Sequence, residues 1–484
     1  MTKQGTKLAA GLLAILLAGC AVGPDYRRPE PEAATQWYAV SPHEGSLTTL
    51  AQWWSQFDDP LLAELIMTAE RDSPDLDQAL ARIVQSRAGV TAATSALAPS
   101  LGLSGNAQRS RSPLNTPPLQ TLRQGALEAS WEIDLFGGRR RGREAAMARE
   151  QSAQAQWHDA RVSLAAEVAQ EYTGLRSCEA LVTVAEADLK SRQESERLSH
   201  LMVDAGMQSV ADGALATAGL ADAASRVEAQ RADCEVSVKS LVALTGLAEP
   251  LLRAKLVQRR GVVPQPAAFS VRQVPAEVLL QRPDMVAVER NMAAASAEIG
   301  VAEAARYPRI TLLGSIGFQS LTTDSASIEG RSWSIGPGIS LPIFSAGRLA
   351  ADVDAARARY DEAAAAYRGK ARQAVREVEQ AMVRLASAQV RAGDADKAAA
   401  NYDRALRAAE ARWGVGSASQ LELEEVRRVA LASHMQRIGV QRERVSAWIS
   451  LYRAIGGGWT TENLGVTTVA SPEEETKNSV EKSQ

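Results

Sequence analysis

The segment from Leu127 to Glu150 passes from one hydrophobic pattern to another. Between Leu127 and Leu135 every second residue is apolar, and the residues between them are Ser, Glu or Asp. This period of two is typical of a β-strand with two different faces. After Gly137 and Gly138, an arginine-rich stretch opens an alanine-rich segment whose apolar residues are spaced by three and four. The pattern therefore predicts a two-faced strand that runs directly into a long α-helix.

The same alternation occurs in four segments, at about 99–107, 122–136, 308–319 and 331–344. Each has about nine or more residues, which is enough for a tilted strand to cross a bilayer. We expect Trp131, Ile133 and Leu135 to face lipid, and Glu128, Glu132 and Asp134 to face an aqueous lumen. A soluble sandwich with half-buried strands would show the same alternation.

The chain contains a tandem duplication. Residues 73–103 align with residues 282–312 at a constant offset of 209, which superposes Pro74 on Pro283 and Asp75 on Asp284. We assign the repeats to 73–247 and 282–457. Each contains a helix, two strands and a helical hairpin, and the hairpins span 139–246 and 348–456.

The hairpins are predicted to turn at Gly206 and Gly416. The first helix of the first hairpin, 139–203, holds 65 residues without a proline, and an α-helix of that length spans about 100 Å. Apolar residues spaced by three and four, such as Val168, Tyr172 and Leu175, indicate coiled-coil packing.

Four membrane strands do not close a barrel, because an open edge in lipid leaves backbone groups unpaired. The chain is therefore expected to oligomerise. Two copies give a filled barrel, and three give a twelve-stranded barrel with room for a lumen.

The N-terminus resembles a bacterial lipoprotein signal. Lys3 and Lys7 precede the apolar run 8–18, and "LAGC" ends in Cys20. We expect a signal peptide at 1–19 that is removed and a covalent lipid (palmitate) on Cys20; the alternative is an ordinary signal peptide with an incidental cysteine. Ala21 after the cysteine resembles the outer-membrane sorting signal. No later run reaches the length of a membrane helix.

Charge and motifs exclude several classes of function. The net charge of −3 and the pI near 6.0 give no case for nucleic acid. No phosphate-binding loop, nucleophile elbow or zinc motif is present, and the four histidines lack metal-ligand spacing. We therefore expect neither an enzyme nor a metal site. The polar tail, 458–484, is expected to be disordered.

Cys178 and Cys234 each lie 28 residues from Gly206. In an antiparallel hairpin that turns at this glycine, the two cysteines lie at the same height. Because exported proteins meet an oxidising compartment, we predict a disulfide between them, with two buried free thiols as the alternative.

Several motifs together resemble the TolC-like outer-membrane efflux factors, and among them the OprM-like lipoproteins. The similar stretches are "GCAVGPDYRRP", "WWSQFDDPLLAELI", "WEIDLFGGRRR" and "VPAEVLLQRPD". The resemblance extends from Met1 to about Gly458. It implies an α+β membrane protein: a homotrimer with a twelve-stranded transmembrane β-barrel, four strands from each chain, that a long periplasmic α-helical barrel continues. Residues 20–72 and 248–281 would form an equatorial mixed α/β belt.

The resemblance also implies partners and a gate. Members of this family are passive outer-membrane ducts that dock with a periplasmic adaptor and a proton-driven inner-membrane transporter. The glycine turns lie at the closed tip of the duct. By position in "RWGVGSASQLELEEVRR", Trp413 matches the aromatic position, Glu422 and Glu425 the acidic gate positions, and Arg428 a basic position. The alternative is that both glutamates are ordinary acids of a helix N-terminus.

The arginines at 139, 140, 141 and 143 follow the predicted strand directly. We expect this basic cluster near the periplasmic surface of the outer membrane, where some of the arginines reach lipid phosphates and others line the passage.

The leading hypothesis is the outer-membrane exit duct of a tripartite pump for drugs or other small toxic compounds. An outer channel for type I protein secretion or metal-ion efflux is the alternative within the family. A lipid-anchored periplasmic coiled-coil scaffold is the alternative outside it.

Overall fold

The computed structural model describes residues 21–29, 54, 56–111, 119–265 and 282–457. The predicted signal peptide, Cys20, the tail 458–484 and parts of both belt segments lie outside these residues. The elements are, in chain order, α1 Pro60–Asp72, α2 Pro74–Ser95, β1 Ser100–Arg111, β2 Leu119–Ile133, α3 Gly138–Asp204, α4 Val210–Thr245, α5 Glu249–Leu256, α6 Pro283–Ala304, β3 Arg309–Thr323, β4 Ser327–Ser340, α7 Arg348–Gly414 and α8 Gln420–Ala454.

The secondary structure repeats with the predicted offset. Helices α2 and α6 each have 22 residues and begin at Pro74 and Pro283. Helices α3 and α7 each have 67 residues and begin at Gly138 and Arg348. The order helix, strand, strand, long helix, helix therefore occurs twice, which confirms the tandem duplication.

The chain divides into two compact units. One unit comprises 1–30, 80–155 and 286–369, and the other comprises 31–79, 156–285 and 370–484. The first unit contains the four strands, which form an antiparallel sheet in the order β1-β2-β3-β4. The second unit contains the hairpin turns and a large apolar core.

The register of the sheet collects the apolar residues on one face. Leu127 pairs with Leu103 on β1 and with Ile316 on β3, and Ile316 pairs with Trp333 on β4. Successive side chains of a strand point to opposite faces, so these four lie on one side. They are exposed, and Leu103 and Trp333 keep 83% and 77% of their surface accessible. The opposite face carries mainly Gly, Ser, Thr, Gln and Glu.

Two strand boundaries differ from the sequence prediction. Strand β2 ends at Ile133, so the predicted positions of Asp134 and Leu135 within it are wrong. The Asp134 carboxylate instead accepts the backbone N–H groups of Arg139 and Arg140 at 3.1 and 2.9 Å and caps helix α3. Satisfying these otherwise unpaired donors favours the cap over one more pair of strand residues.

The other boundary is the hairpin between β3 and β4. The strands pair from Arg309 with Ser340 to Thr322 with Ser327, and residues 324–326 form the connection. The prediction of a loop over about 320–330 was therefore wrong, as was the extension of β4 to 344. Polar residues continue the ladder because the strand hydrogen bonds use only the backbone.

The core of the second unit is built by the spacing that the sequence shows. Val168, Tyr172 and Leu175 on α3 and Met382 and Leu385 on α7 are almost fully buried. They pack with apolar residues of α1, α4 and α8 in one cluster. The predicted helix packing is confirmed for these residues.

Arg282 connects three segments of the second unit. Its guanidinium donates two hydrogen bonds to Asp284, one to the Ala454 carbonyl and one to Glu377. Lys370 forms a further ion pair with Asp284 at 2.9 Å. The motif "RPD" at the start of the second repeat therefore supplies a buried charge cluster between α6, α7 and α8.

Candidate functional site

The two hairpin turns have the same backbone geometry. Gly206 and Gly416 adopt positive φ angles of 71° and 76°, a conformation that favours glycine. Hydrogen bonds from Met207 to the Met202 carbonyl and from Ser417 to the Arg412 carbonyl close the ends of α3 and α7, as in a Schellman motif. The predicted turns at both glycines are confirmed.

Both returning helices begin with a serine cap. Ser209 and Ser419 accept the backbone N–H groups of Asp212 and Glu422, each at 3.1 Å. These residues stand three positions after their caps, where an acid also complements the helix dipole. Glu422 therefore has the local geometry of an ordinary helix N-terminus, whatever further role it has.

The predicted gate residues lie together beside the second turn. Glu422 forms an ion pair with Arg412 across the turn, and Glu425 forms one with Arg428 at 2.7 Å within α8. Both glutamates and Arg428 are exposed, and Trp413 is half-buried. The structure thus groups these four residues at one tip and leaves their carboxylates accessible to solvent.

A second cluster near the turns was not predicted from the sequence. Arg192 on α3 forms an ion pair with Glu424 on α8 at 3.0 Å. Arg427 on α8 donates to Ser195 on α3 at 2.9 Å and to Glu424 at 2.5 Å. Arg427 and Ser195 are buried. These contacts join the first hairpin to the second, so we call Arg192, Ser195, Glu424 and Arg427 the hairpin link.

The hairpin link has further partners on the first hairpin. Arg192 also bonds the buried carboxylate of Asp188, which accepts from Arg226 on α4 at 3.3 Å. A separate contact joins the two turn regions, where the Gln208 amide donates to the Gln420 side-chain oxygen at 2.8 Å.

The predicted disulfide is present. Cys178 on α3 and Cys234 on α4 are bonded, with a Cα–Cα distance of 5.6 Å. The bond joins the two helices of the first hairpin at the height that their equal separation from Gly206 predicted. The residues one repeat later are Ala388 and Arg444, so the second hairpin has no equivalent bond.

The basic cluster after β2 divides into different environments. Arg139 forms an ion pair with Glu132 at 2.8 Å, and Arg140 forms one with Asp134 at 3.4 Å. Arg143 has no carboxylate within ion-pair distance among the described residues. Its charge is therefore the least compensated of the four.

Arg141 is buried and holds the N-terminal segment. Its guanidinium donates to Asp25 at 2.7 Å, to Glu144 at 2.8 Å and to the carbonyls of Val22 and Gly23. Its side chain is only 10% exposed. The segment that follows Cys20 in sequence is thus fixed against the start of α3.

Two searches concern the described part of the chain alone. There, no set of three or more His, Cys, Asp or Glu side chains is arranged to hold a metal ion. Within the same residues, none of the helices combines the length and apolar character that crossing a membrane requires.

Comparison with known proteins gives consistent matches over most of the chain. The model of the family described as "Outer membrane efflux protein" matches residues 65–247 and 274–457. "Outer membrane protein OprJ" of Pseudomonas aeruginosa is 30% identical over 480 residues, which cover 95% of this chain and 97% of that protein.

Two further matches cover this chain nearly completely. "Probable efflux pump outer membrane protein TtgC" of Pseudomonas putida is 30% identical over 492 residues, 98% of this chain and 99% of that protein. The solved structure of the outer-membrane channel OprN superposes with a TM-score of 0.80 at 30% identity and covers 91% of this chain and all of that chain.

Proposed function

This chain belongs to the outer membrane efflux protein family and is an outer-membrane efflux channel protein, and we propose that three copies of it form the exit duct of a tripartite pump. The pump expels drugs or other small toxic compounds from the periplasm. The relatives whose names refer to efflux pumps support this class of cargo.

The exposed apolar face of the sheet is the observation that carries the proposal. Leu103, Leu127, Ile316 and Trp333 form one in-register band across all four strands. A contiguous apolar surface of this kind in water is unfavourable, whereas contact with lipid removes the penalty. Strands of 12 to 15 residues exceed the about 9 to 11 that a tilted membrane strand needs.

The edge strands require further copies of the chain. β1 and β4 end the sheet, so within the described residues one side of each has no neighbouring strand. In lipid, unpaired backbone groups cost several kcal/mol each, so only a closed barrel is stable there. Three chains supply twelve strands, which leave a lumen lined by the polar face.

The long hairpins continue the duct on the periplasmic side. We assign their tips, at Gly206 and Gly416, as the surface that meets a periplasmic adaptor and a proton-driven inner-membrane transporter. The chain acts as a passive duct with no catalytic step, and the energy comes from the transporter.

The N-terminus supplies a second attachment to the membrane. We propose that Cys20 carries a covalent lipid (palmitate), which places residues 21–29 at the periplasmic surface of the outer membrane. The fixed position of these residues against α3, held by Arg141, supports an anchor at this height.

The exposed carboxylates at the tip are proposed to form the entrance. Threefold symmetry would repeat Glu422 and Glu425 around a narrow mouth, and such anionic rings bind cations and control selectivity. Trp413 and Arg428 border this ring. The hairpin link holds the tip in the closed arrangement.

Single-channel recording on the reconstituted protein tests the duct. We expect small conductance for the wild type and higher conductance, with weaker cation selectivity, for the double variant Glu422→Ala/Glu425→Ala. Complete absence of conductance in correctly inserted trimers would instead support a periplasmic scaffold. Unchanged conductance in the double variant would refute the ring assignment only.

The cargo requires a separate measurement. A strain that lacks this chain is expected to become more susceptible to several unrelated small toxic compounds. Unchanged susceptibility to drugs together with lost secretion of a protein, or with sensitivity to metal ions alone, would contradict this choice of cargo.

A further inference from the structure

We propose that a groove beside the N-terminal segment binds the phosphate headgroup of an anionic phospholipid in the outer membrane. The groove has a volume of about 370 Å³. Its wall includes Tyr26, Arg140, Arg143, Met147, Arg290 and Ala293. The proposal rests on the proposed function, because it requires the adjacent sheet to span the membrane.

The positive charge in the groove exceeds the negative charge. Three arginines face a single carboxylate, Glu144, which already forms an ion pair with Arg141 at 2.8 Å. Arg143 has no carboxylate partner in the described parts of the chain. A phosphodiester would supply the missing countercharge, since guanidinium groups bind phosphate oxygens through paired charge-assisted hydrogen bonds.

The wall opposite α3 is held in place by buried contacts. Arg290 donates to Glu289 at 2.6 and 2.5 Å and to the Gln151 amide oxygen at 3.2 Å. The Tyr26 hydroxyl donates to Glu289 at 2.5 Å, and its ring lies 5.7 Å from the Arg290 guanidinium carbon. The Glu289 side chain is only 2% exposed. The groove therefore keeps a defined shape without a ligand.

The height of the arginines fits a lipid headgroup. Helix α3 begins at Gly138, directly after the strand. At a rise of about 1.5 Å per residue, Arg140 and Arg143 lie about 3 and 7.5 Å along the helix axis from Gly138. The headgroup layer on each side of a bilayer is about 5 to 7 Å thick. Both guanidinium groups thus lie at the depth of the phosphates when the strands span the hydrocarbon layer.

The apolar part of the groove limits what binds. Met147 and Ala293 lie on the side of Arg143 that is farther from the sheet, because residue numbers along α3 increase away from β2. Acyl chains extend in the opposite direction, into the membrane, so the groove takes the headgroup and leaves the chains outside.

Ligand-dependent thermal unfolding of the full chain in detergent tests the proposal. The probes are phosphatidylglycerol, phosphatidylcholine with the same acyl chains, and inorganic phosphate. We expect phosphatidylglycerol to raise the melting temperature of the wild type more than the other two do. Arg143→Gln is expected to weaken phosphatidylglycerol binding by about tenfold, the effect of one lost charged hydrogen-bonded contact.

Arg368→Gln is the matched control, since Arg368 is exposed on α7 and has no ion-pair partner among the described residues. It should bind phosphatidylglycerol like the wild type. Equal binding by Arg143→Gln and the wild type would overturn the proposal, and so would equal stabilisation by inorganic phosphate, which would indicate a free-phosphate site. Both variants should keep wild-type conductance, so loss of lipid preference is separable from failure of the duct.

Discussion

Arg192 on α3 and Glu424 on α8 form an ion pair with a nitrogen–oxygen distance of 3.0 Å, and this contact joins the two hairpins of one chain near their turns. Both side chains are mostly shielded, at 16% and 22% exposure. Arg427 adds a bond to each side of the contact, since it donates to Glu424 and to Ser195. Separating the hairpins must therefore break several polar contacts together.

The first prediction concerns Glu424→Gln, which removes the charge and keeps the shape of the side chain. We expect the closed tip to lose about 1 kcal/mol of stabilisation relative to the open tip, which is about a fivefold rise in the open fraction. Single-channel recording measures this fraction directly.

Asp394→Asn is the control for Glu424→Gln. Asp394 is an exposed acid on α7 of the same hairpin, and its ion pair, with Lys397 at 3.8 Å, lies within one helix. Its substitution should leave the open fraction unchanged. An equal rise in both variants would show that general charge loss, and not the hairpin link, controls the tip.

The strand pattern was predictable from the sequence because the sheet has two very different faces. Ile316 and Trp333 had to lie on one side, and the register that pairs them follows. The end of β2 was not predictable from alternation, since Leu135 continues the pattern that β2 does not follow. Only the cap that Asp134 supplies to α3 decides the boundary, and it depends on the position of the next turn of chain.

The tip was predictable only in part. Resemblance identified Glu422 and Glu425, but the hairpin link depends on how α8 is rotated about its axis and on residues of α3 more than 200 positions away. One signal was available in the sequence. Leu423, Arg427 and Ala430 have the spacing of one helix face, and all three are buried. An arginine on an apolar face indicates a buried polar partner.

The second prediction concerns the disulfide in the first hairpin. Cys178 and Cys234 are 56 residues apart in sequence, and a loop of that length loses about 4 kcal/mol of unfolded-state entropy on cross-linking. We expect Cys178→Ser to lower the free energy of unfolding by up to about that amount. Denaturant unfolding in detergent, with and without a reducing agent, measures the effect.

The cysteine variants control for each other. Cys234→Ser should match Cys178→Ser, and the reducing agent should lower the stability of the wild type alone. Peptide mapping under non-reducing conditions should recover the two cysteines as one linked pair. Recovery of both as free thiols would contradict the bond.

The third prediction concerns Gly300, which lies in α6 against the N-terminal segment. An added Cβ atom would lie 2.8 Å from the Arg141 Cγ and 3.1 Å from the Val22 carbonyl oxygen. Arg141 is held by Asp25 and Glu144 and has little room to move. We expect Gly300→Ala to cost about 1 to 3 kcal/mol through overpacking and to displace the N-terminal segment.

Gly89→Ala is the matched control in α2, where a Cβ atom meets nothing within 4 Å. This substitution should stabilise the helix by up to about 1 kcal/mol. Trypsin measures the displacement, because release of the segment exposes the bonds after Arg27 and Arg28. If Gly300→Ala is cleaved no faster than Gly89→Ala, the close approach at Gly300 does not hold the segment.

The fourth prediction concerns the pH dependence of stability at Asp284. Burial alone raises the pKa of this carboxyl, but hydrogen bonds and charges from Arg282 and Lys370 outweigh it and lower the pKa to about 2. A depressed pKa means that the stabilisation is complete above the unfolded-state pKa of about 3.9 and is lost as the pH falls toward 2. The amount is about 2 kcal/mol.

Urea unfolding of the detergent-solubilised protein between pH 2 and pH 6 measures this loss. Asp159 contributes in the opposite direction, since burial and the charge of Asp284 raise its pKa, so the wild type has to be compared with Asp284→Asn. The variant should be less stable near pH 6 and should depend less on pH between 4 and 2. Asp72→Asn is the control, because Asp72 is exposed beside Arg71 and solvent screens that ion pair. A pH slope in Asp284→Asn as steep as in the wild type would show that the charge cluster around Arg282 does not cause the acid sensitivity.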